Sequence, residues 1–415
     1  MGSDFFQVVS VQTFLELIKG FARPEARYSK ELAEIHEDVL AEGVIASEDL
    51  PPFSRSSMDG YALKASDCFG ANEFNPAYLD IVERIPIGVF PQTRLRSGQC
   101  AEVVTGGVLP EGADAVVMLE HTHPFGEGEL EIRRTVAPGE NIMAKGEDCS
   151  AGEQVLAPGT RLRAQEIGLL AALGRRRVNV FQTPRIGIIS SGDELVSADR
   201  EPAVGQIRDV NSHTLRCLSQ DCGADPVSYG IVSDELAEIR QTLERAWKEC
   251  DLILISGGSS VGTRDLTLAA LEDMDNSTIL AHGVSISPGK PTILADIGGK
   301  PVIGLPGQVT SVQVVFLVLV TPLLRRLAGE GPDRSRIPRA SVPARLGRNL
   351  ASKQGREDYV RVRLEFSDEG LPTAVPLIGK SGLLKTMLQA DGLIRIPAGQ
   401  EGMSKQSEVK VFVLG

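Results

Sequence analysis

Aromatic side chains, histidines and positive charge are all scarce in this chain. Aromatics make up 5% of its 415 residues, with Trp247 the single tryptophan, so the sequence offers no platform on which nucleic-acid bases could stack. The 43 Lys and Arg are outnumbered by 55 Asp and Glu, for a net charge of −12, which excludes a broad nucleic-acid surface. Any anionic substrate must therefore be held locally, by helix N-termini, a few cations or a metal ion. The six cysteines (Cys68, Cys100, Cys149, Cys217, Cys222 and Cys250) form no CxxC pair, so neither a zinc site nor a disulfide framework is legible, and free thiols in a reducing cytoplasm are expected. The start, MGSDFFQVVS, lacks the charged-then-apolar layout of a signal peptide, and Phe6 stands where a myristoylation motif needs Ser or Thr. No membrane span is expected either. The longest apolar run, Val312 to Leu324, contains Gln313 and Pro322 and is too short to cross a bilayer, so it reads as a buried helix.

What is present is a soluble, globular composition, 42% hydrophobic and 24% charged, over a length that calls for two to four domains. Residues 11–21 and 30–41 carry apolar residues at three- and four-residue spacing and predict two opening amphipathic helices, the second capped by Ser29. A polar loop follows, EDLPPFSRSSMDGYALKASD, in which Asp59-Gly60 is either an ordinary turn or part of a site. Short strands punctuated by Gly and Pro fill 78–140, and a helix is predicted over Ala164 to Leu173. His121 and His123 read as surface residues, having no third ligand at metal spacing. The expected organisation is an elongated discontinuous domain (1–45 and 141–178), a β-rich domain inserted into it (46–140), an α/β domain (179–330) and a C-terminal β domain (331–415).

The α/β pattern is the clearest. Strands RIGIIS, PVSYGIV and LILIS alternate with helices, the first of them capped near Asn211, and predict a parallel, doubly wound sheet. Its organising stretch is Leu252 to Asp265, LILISGGSSVGTRD, which passes from an apolar strand through a glycine-serine loop into a helix. Ligands in such sheets bind beyond the carboxyl ends of the strands, and Gly257, Gly258 and Gly262 with Ser256 and Ser259 suit a phosphate there. Glu194, Asp234 and Asp265 are expected on the same edge. Carboxylates beside a phosphate need a neutralising cation, so Mg2+ is inferred; the alternative is that each merely caps a helix, a role Asp234 suits well. Lys290, on the Pro288-Gly289-Lys290-Pro291 turn, and Leu305-Pro306-Gly307 either frame an oxyanion or are plain turns.

Six motifs in order then make the sequence resemble the molybdopterin molybdenumtransferases, the MoeA-type enzymes that include the gephyrin E domain. They are Ser57-Met58-Asp59-Gly60-Tyr61-Ala62, VVTGGVLPEGADAVVMLE, SGDEL at 191–195, SGGSSVGTRD at 256–265, PGKP at 288–291 and LPG at 305–307. The resemblance covers nearly the whole chain. It implies a three-layer α/β domain of molybdopterin-binding type, an inserted β-rich domain, an extended linker domain and a C-terminal β-barrel-like domain. It further implies insertion of molybdenum from molybdate into adenylylated molybdopterin, with release of AMP and a requirement for Mg2+. Carried over residue by residue, it makes Asp59, Asp148, Glu194, Asp234 and Asp265 the catalytic acids, with Glu194 and Asp234 as metal ligands. Ser191, Gly192, Ser256, Gly257, Gly258, Ser259 and Gly262 would face the pterin nucleotide, and Lys290, Pro306, Ser311, Arg361 and Ser381 the molybdate. A cytoplasmic homodimer is implied, with the adenylylating enzyme and recipient molybdoenzymes as candidate partners. The sequence departs from the family at Ser287, where a basic residue is usual, at Gln308-Val309-Thr310, where Asn and Pro are lost, and in its SSVG and TGG segments. These departures bear on the oxyanion pocket, leaving a tungstate-preferring paralogue or a non-catalytic carrier or scaffold as the alternatives.

Overall fold

The computed structural model describes residues 8–257, 261–331, 340–368 and 370–414, with the side chains of 261–265 outside that description. Its centre is a six-stranded sheet in the order 225–232, 185–191, 252–256, 300–305, 293–297, 277–282. The first four strands are parallel, as the alternating strand and helix pattern predicts. Strand 293–297 runs antiparallel to both of its neighbours, and against 300–305 this traces to Gly298-Gly299: both glycines have positive φ and turn the chain directly from Ile297 to Lys300 as a hairpin. Along Leu252–Ser256, Leu252 and Leu254 enter one core and Ile253 and Ile255 the other, so the strand is buried on both faces. Helices cover each side, the 211–221 and 309–327 helices on one and the 236–249 and 261–272 helices on the other, which gives three layers.

The 309–327 helix is the largest contributor to the first core. It is long and apolar enough by length and composition to cross a membrane, but 78% of its apolar window is buried in the protein, as for a core helix. Residues Phe316–Val320 form a π-turn, in which the Thr321 amide and hydroxyl both reach the Phe316 carbonyl. That widened turn precedes Pro322, which has no N–H to continue the ladder.

The opening helix, Val11–Leu17, is capped by Ser10, whose Oγ accepts from the Thr13 amide at 2.9 Å. Val11, Phe14, Ile18 and Phe21 join the core of the α/β unit rather than the cluster formed by residues 141–178. The second predicted helix does not form. Arg27–Glu31 is instead a strand paired with Arg177–Phe181, with Ser29 opposite Asn179, and a single 3-10 turn follows at Leu32–Glu34. Glu37 has φ 67°, outside any right-handed helix, and Ile35 and Leu40 are fully buried against Leu162, Leu170 and Val180. Burial against the returning segment outweighs the helical spacing, since a short isolated helix is marginal.

Three two-stranded antiparallel ribbons (27–31 with 177–181, 44–45 with 154–156, 55–56 with 142–143) lay the outgoing and returning chains side by side. Between them sits an open six-stranded sheet, 115–118, 60–63, 99–103, 77–85, 129–132, 122–125. Arg161 ties the ribbons to the α/β unit, donating to Glu37 O, Cys222 O and the buried Glu330 carboxylate. The C-terminal strands 357–365, 373–376, 341–346, 408–413 and 392–396 close into a barrel through pairing of the last with the first. Phe316 is completely buried in the α/β core. Replacing it with alanine is expected to cost about 3–5 kcal/mol, read as an earlier midpoint of urea unfolding by circular dichroism.

Candidate functional site

Because the strands run parallel, Ser191 and Ser256 both end on one edge of the sheet. Ser191 Oγ donates to Asp234 Oδ1 at 3.2 Å, and the Asp234 amide donates to Asp193 Oδ1 at 3.1 Å. The bond from Ser191 shows where the Asp234 carboxylate is used: the following helix has no side-chain cap. Gly192 stands so close to Glu194 that a Cβ there would lie 2.6 Å from Glu194 Oε2, so only glycine leaves that carboxylate in place. Gly257 faces Ser191, with room for a Cβ 3.4 Å from its hydroxyl. Ser256 Oγ is buried and has no hydrogen-bond partner among the described residues. Gly258 and Ser259 lie outside the described residues, as does the Asp265 side chain, and Gly262 is described only as backbone of the 261–272 helix. No group of three or more His, Cys, Asp or Glu able to hold a metal is present among the described residues. Glu194 and Asp234 are of the donor type that Mg2+ takes, since that ion keeps several waters and is held by one or two carboxylates together with substrate phosphates.

A cavity of about 280 Å3 opens beside this edge, lined by Ser287, Lys290, Pro306, Gln308, Ser311, Arg356 and Ser381 among others. It lies between the α/β unit and the barrel. Ile286–Ser287 pairs in parallel with Glu357–Asp358, the Glu357 amide donating to Ser285 O at 2.9 Å. On the other side the Thr310 amide donates to Ser381 O at 3.0 Å. Gly289 lets the PGKP turn press onto the long helix: its φ is +120° and a Cβ would meet Val315 Cγ2 at 2.4 Å. The two sites are wired together. Ser190 Oγ donates to Asp209, Asp209 accepts from the Ser212 amide at the start of the 211–221 helix, and Asn211 Nδ2 donates to Gly307 O at 2.9 Å. Asp209 therefore serves the cap expected of Asn211, which is the first residue of the helix.

Residues 9–174 match the model of the MoeA N-terminal region (domains I and II), 187–326 that of a "probable molybdopterin binding domain", and 343–414 that of the MoeA C-terminal region (domain IV). The chain belongs to the MoeA family. It is 35% identical to a molybdopterin molybdenumtransferase of Nostoc sp. over 381 residues, covering 91% of this chain and 86% of that one. It is 32% identical over 409 residues to molybdopterin molybdenumtransferase 2 of Mycobacterium tuberculosis, covering 98% and 99%. The solved structure of a molybdopterin biosynthesis MoeA protein from Pyrococcus horikoshii superposes with a TM-score of 0.80 at 31% identity, covering 98% of this chain and all of that one.

Within this family frame, the structure gathers Ser191, Gly192, Glu194, Asp234 and Gly257 at one edge and Lys290, Pro306, Ser311 and Ser381 around one cavity. Arg361 is outside the cavity lining. It is 9% exposed, its guanidinium donates to Thr386 Oγ1 and Gly379 O, and burial holds its pKa below the usual arginine value. It braces the loop that carries Ser381. Asp59 and Asp148 sit elsewhere in this chain. Asp59 accepts from the Thr105 amide and hydroxyl within the inserted domain, and those bonds lower its carboxyl pKa; Asp148 is exposed after the 142–143 ribbon. Sequence reasoning missed Asp193, Asp209 and Arg356. Asp193 lay in plain view inside SGDEL, whereas nothing local marks Asp209 or Arg356. Gly192→Ala is expected to displace the Glu194 carboxylate and weaken Mg2+ binding about tenfold by calorimetric titration, with the circular dichroism spectrum unchanged.

Proposed function

We propose that this protein inserts molybdenum from molybdate into adenylylated molybdopterin, releasing AMP, with Mg2+ as cofactor. The observation that carries this reading is the wiring of a carboxylate-bearing strand edge to a cation-bearing cavity through Ser190, Asp209, Asn211 and Gly307. A substrate with a phosphoanhydride at one end and an oxyanion-accepting dithiolene at the other needs such a pair of subsites at fixed separation. Ser191, Gly192, Ser256 and Gly257 would receive the diphosphate, where a glycine-lined edge admits close backbone approach. Glu194 and Asp234 would hold Mg2+, which when bound neutralises the diphosphate and polarises the bond to the leaving AMP. Lys290, with the Ser311 and Ser381 hydroxyls, would orient molybdate against the dithiolene sulfurs. Asp59 and Asp148, which stand apart from the edge in one chain, fit a cytoplasmic homodimer whose partner closes the site. The adenylylating enzyme and recipient molybdoenzymes would be the remaining partners.

A second reading, a carrier that binds the pterin without turnover, is favoured by Ser287 and by the internal hydrogen bonds of Arg361, which leave neither of those two positions supplying a cation to the cavity. One assay separates the two. Purified protein incubated with adenylylated molybdopterin, Mg2+ and either molybdate or tungstate is expected to release AMP and yield active cofactor. Asp234→Ala should slow release by about 100-fold, the scale for removing one stabilising charge from a site. Tight pterin binding without AMP would establish the carrier instead.

A further inference from the structure

We infer that Arg356 is the second working cation of the oxyanion cavity, and that Asp358, buried behind it, is a built-in competitor that sets how much of that charge an incoming oxyanion can use. The identity of the oxyanion rests on the function proposed above; the binding role does not. Arg356 and Lys290 are the two cationic residues of the lining among the described residues; Arg361 is not part of it and turns one donor of each Nη to Thr386 and Gly379. The Arg356 side chain is 38% exposed and the Asp358 side chain 10%, so the guanidinium stands on the cavity side of the pair.

The ion pair between them is close but badly formed. Arg356 Nε lies 2.9 Å from Asp358 Oδ1, yet neither atom has an aligned hydrogen bond among the described residues, and both are buried. Arg356 Nη2 reaches Asp358 Oδ2 only at 3.3 Å, while the short bond to that oxygen, 2.6 Å, comes from Ser352 Oγ. A guanidinium that meets a carboxylate well does so through two parallel hydrogen bonds. This one does not, so its fork remains available to a tetrahedral oxyanion. When Arg356 turns toward such a ligand, Ser352 keeps the carboxylate hydrogen-bonded, which lowers the cost of the exchange.

The placement also accounts for the serine at 287. Ser287 is in register with Asp358 across the parallel seam between the α/β unit and the barrel. The barrel thus brings a cation from one wall to a place where the facing wall presents only a hydroxyl.

Isothermal titration of the full-length protein with sodium molybdate, tungstate and sulfate tests this. Arg356→Gln is expected to raise the molybdate Kd by about tenfold or more, and Arg356→Lys to fall between it and wild type, since lysine keeps the charge and loses the fork. Asp358→Asn should lower the Kd by about threefold, because it removes the competing charge. Ser287→Lys in the Arg356→Gln background should restore binding. In the AMP-release assay Arg356→Gln should raise KM for molybdate more than it lowers kcat. A molybdate Kd for Arg356→Gln within about twofold of wild type overturns the inference. So does weaker binding by Asp358→Asn with its melting temperature intact; if that variant does not fold, the two arginine variants decide. Loss of oxyanion binding in a protein that releases no AMP would leave this inference standing and end the transferase reading.

Discussion

Burial of the parallel strands on both faces is the constraint from which the rest of the molecule follows. Strands clad on each side by helices can present polar groups only at their ends, and parallel direction puts those ends on one edge. Ser190, Ser191 and Ser256 are accordingly polar residues held almost without solvent, at 0%, 0% and 2% exposure. A buried hydroxyl without a partner costs about 1–3 kcal/mol. Ser190 and Ser191 avoid that cost through Asp209 and Asp234, whereas Ser256 carries it. Among the described residues Ser256 Oγ is thus one of several buried side-chain atoms left without a partner.

The same edge is connected to the neighbouring cavity. Asp209 both receives Ser190 and anchors the 211–221 helix, and the next residue but one, Asn211, holds the Gly307 carbonyl at the mouth of the cavity. Asn211 Oδ1 is itself buried and unpartnered. Three hydrogen bonds thus run from the strand edge at Ser190 to the Gly307 carbonyl beside the cavity.

Much of this was legible in the residues. LILIS read as a buried strand, the apolar run in the 309–327 helix as a core element, the SGDEL segment as an edge loop and PGKP as a turn, because each statement depends on local apolar pattern or turn chemistry. What was not legible depended on distant partners. The helix read over 30–41 gives way to a strand at Arg27–Glu31, a 3-10 turn at Leu32–Glu34 and irregular chain, because Arg177–Phe181 returns beside it, and no feature of 30–41 encodes that return. The antiparallel end of the sheet had a local signal, Gly298-Gly299, that the alternating pattern around it obscured. In the site, Arg361 and Arg356 lie five residues apart on either side of a strand start, and only the barrel's closure decides which one meets the cavity.

The seam between Ile286–Ser287 and Glu357–Asp358 is made of main-chain atoms, as is the contact from Thr310 to Ser381. Amide and carbonyl groups are common to almost every residue type, so the distance between the two walls is indifferent to which side chains they carry. Serine at 287 and Gln308-Val309-Thr310 in the facing turn could thus be acquired without reshaping the vessel. In this architecture the spacing of the two walls is fixed by main-chain bonds, and the side chains that line the cavity between them do not set it.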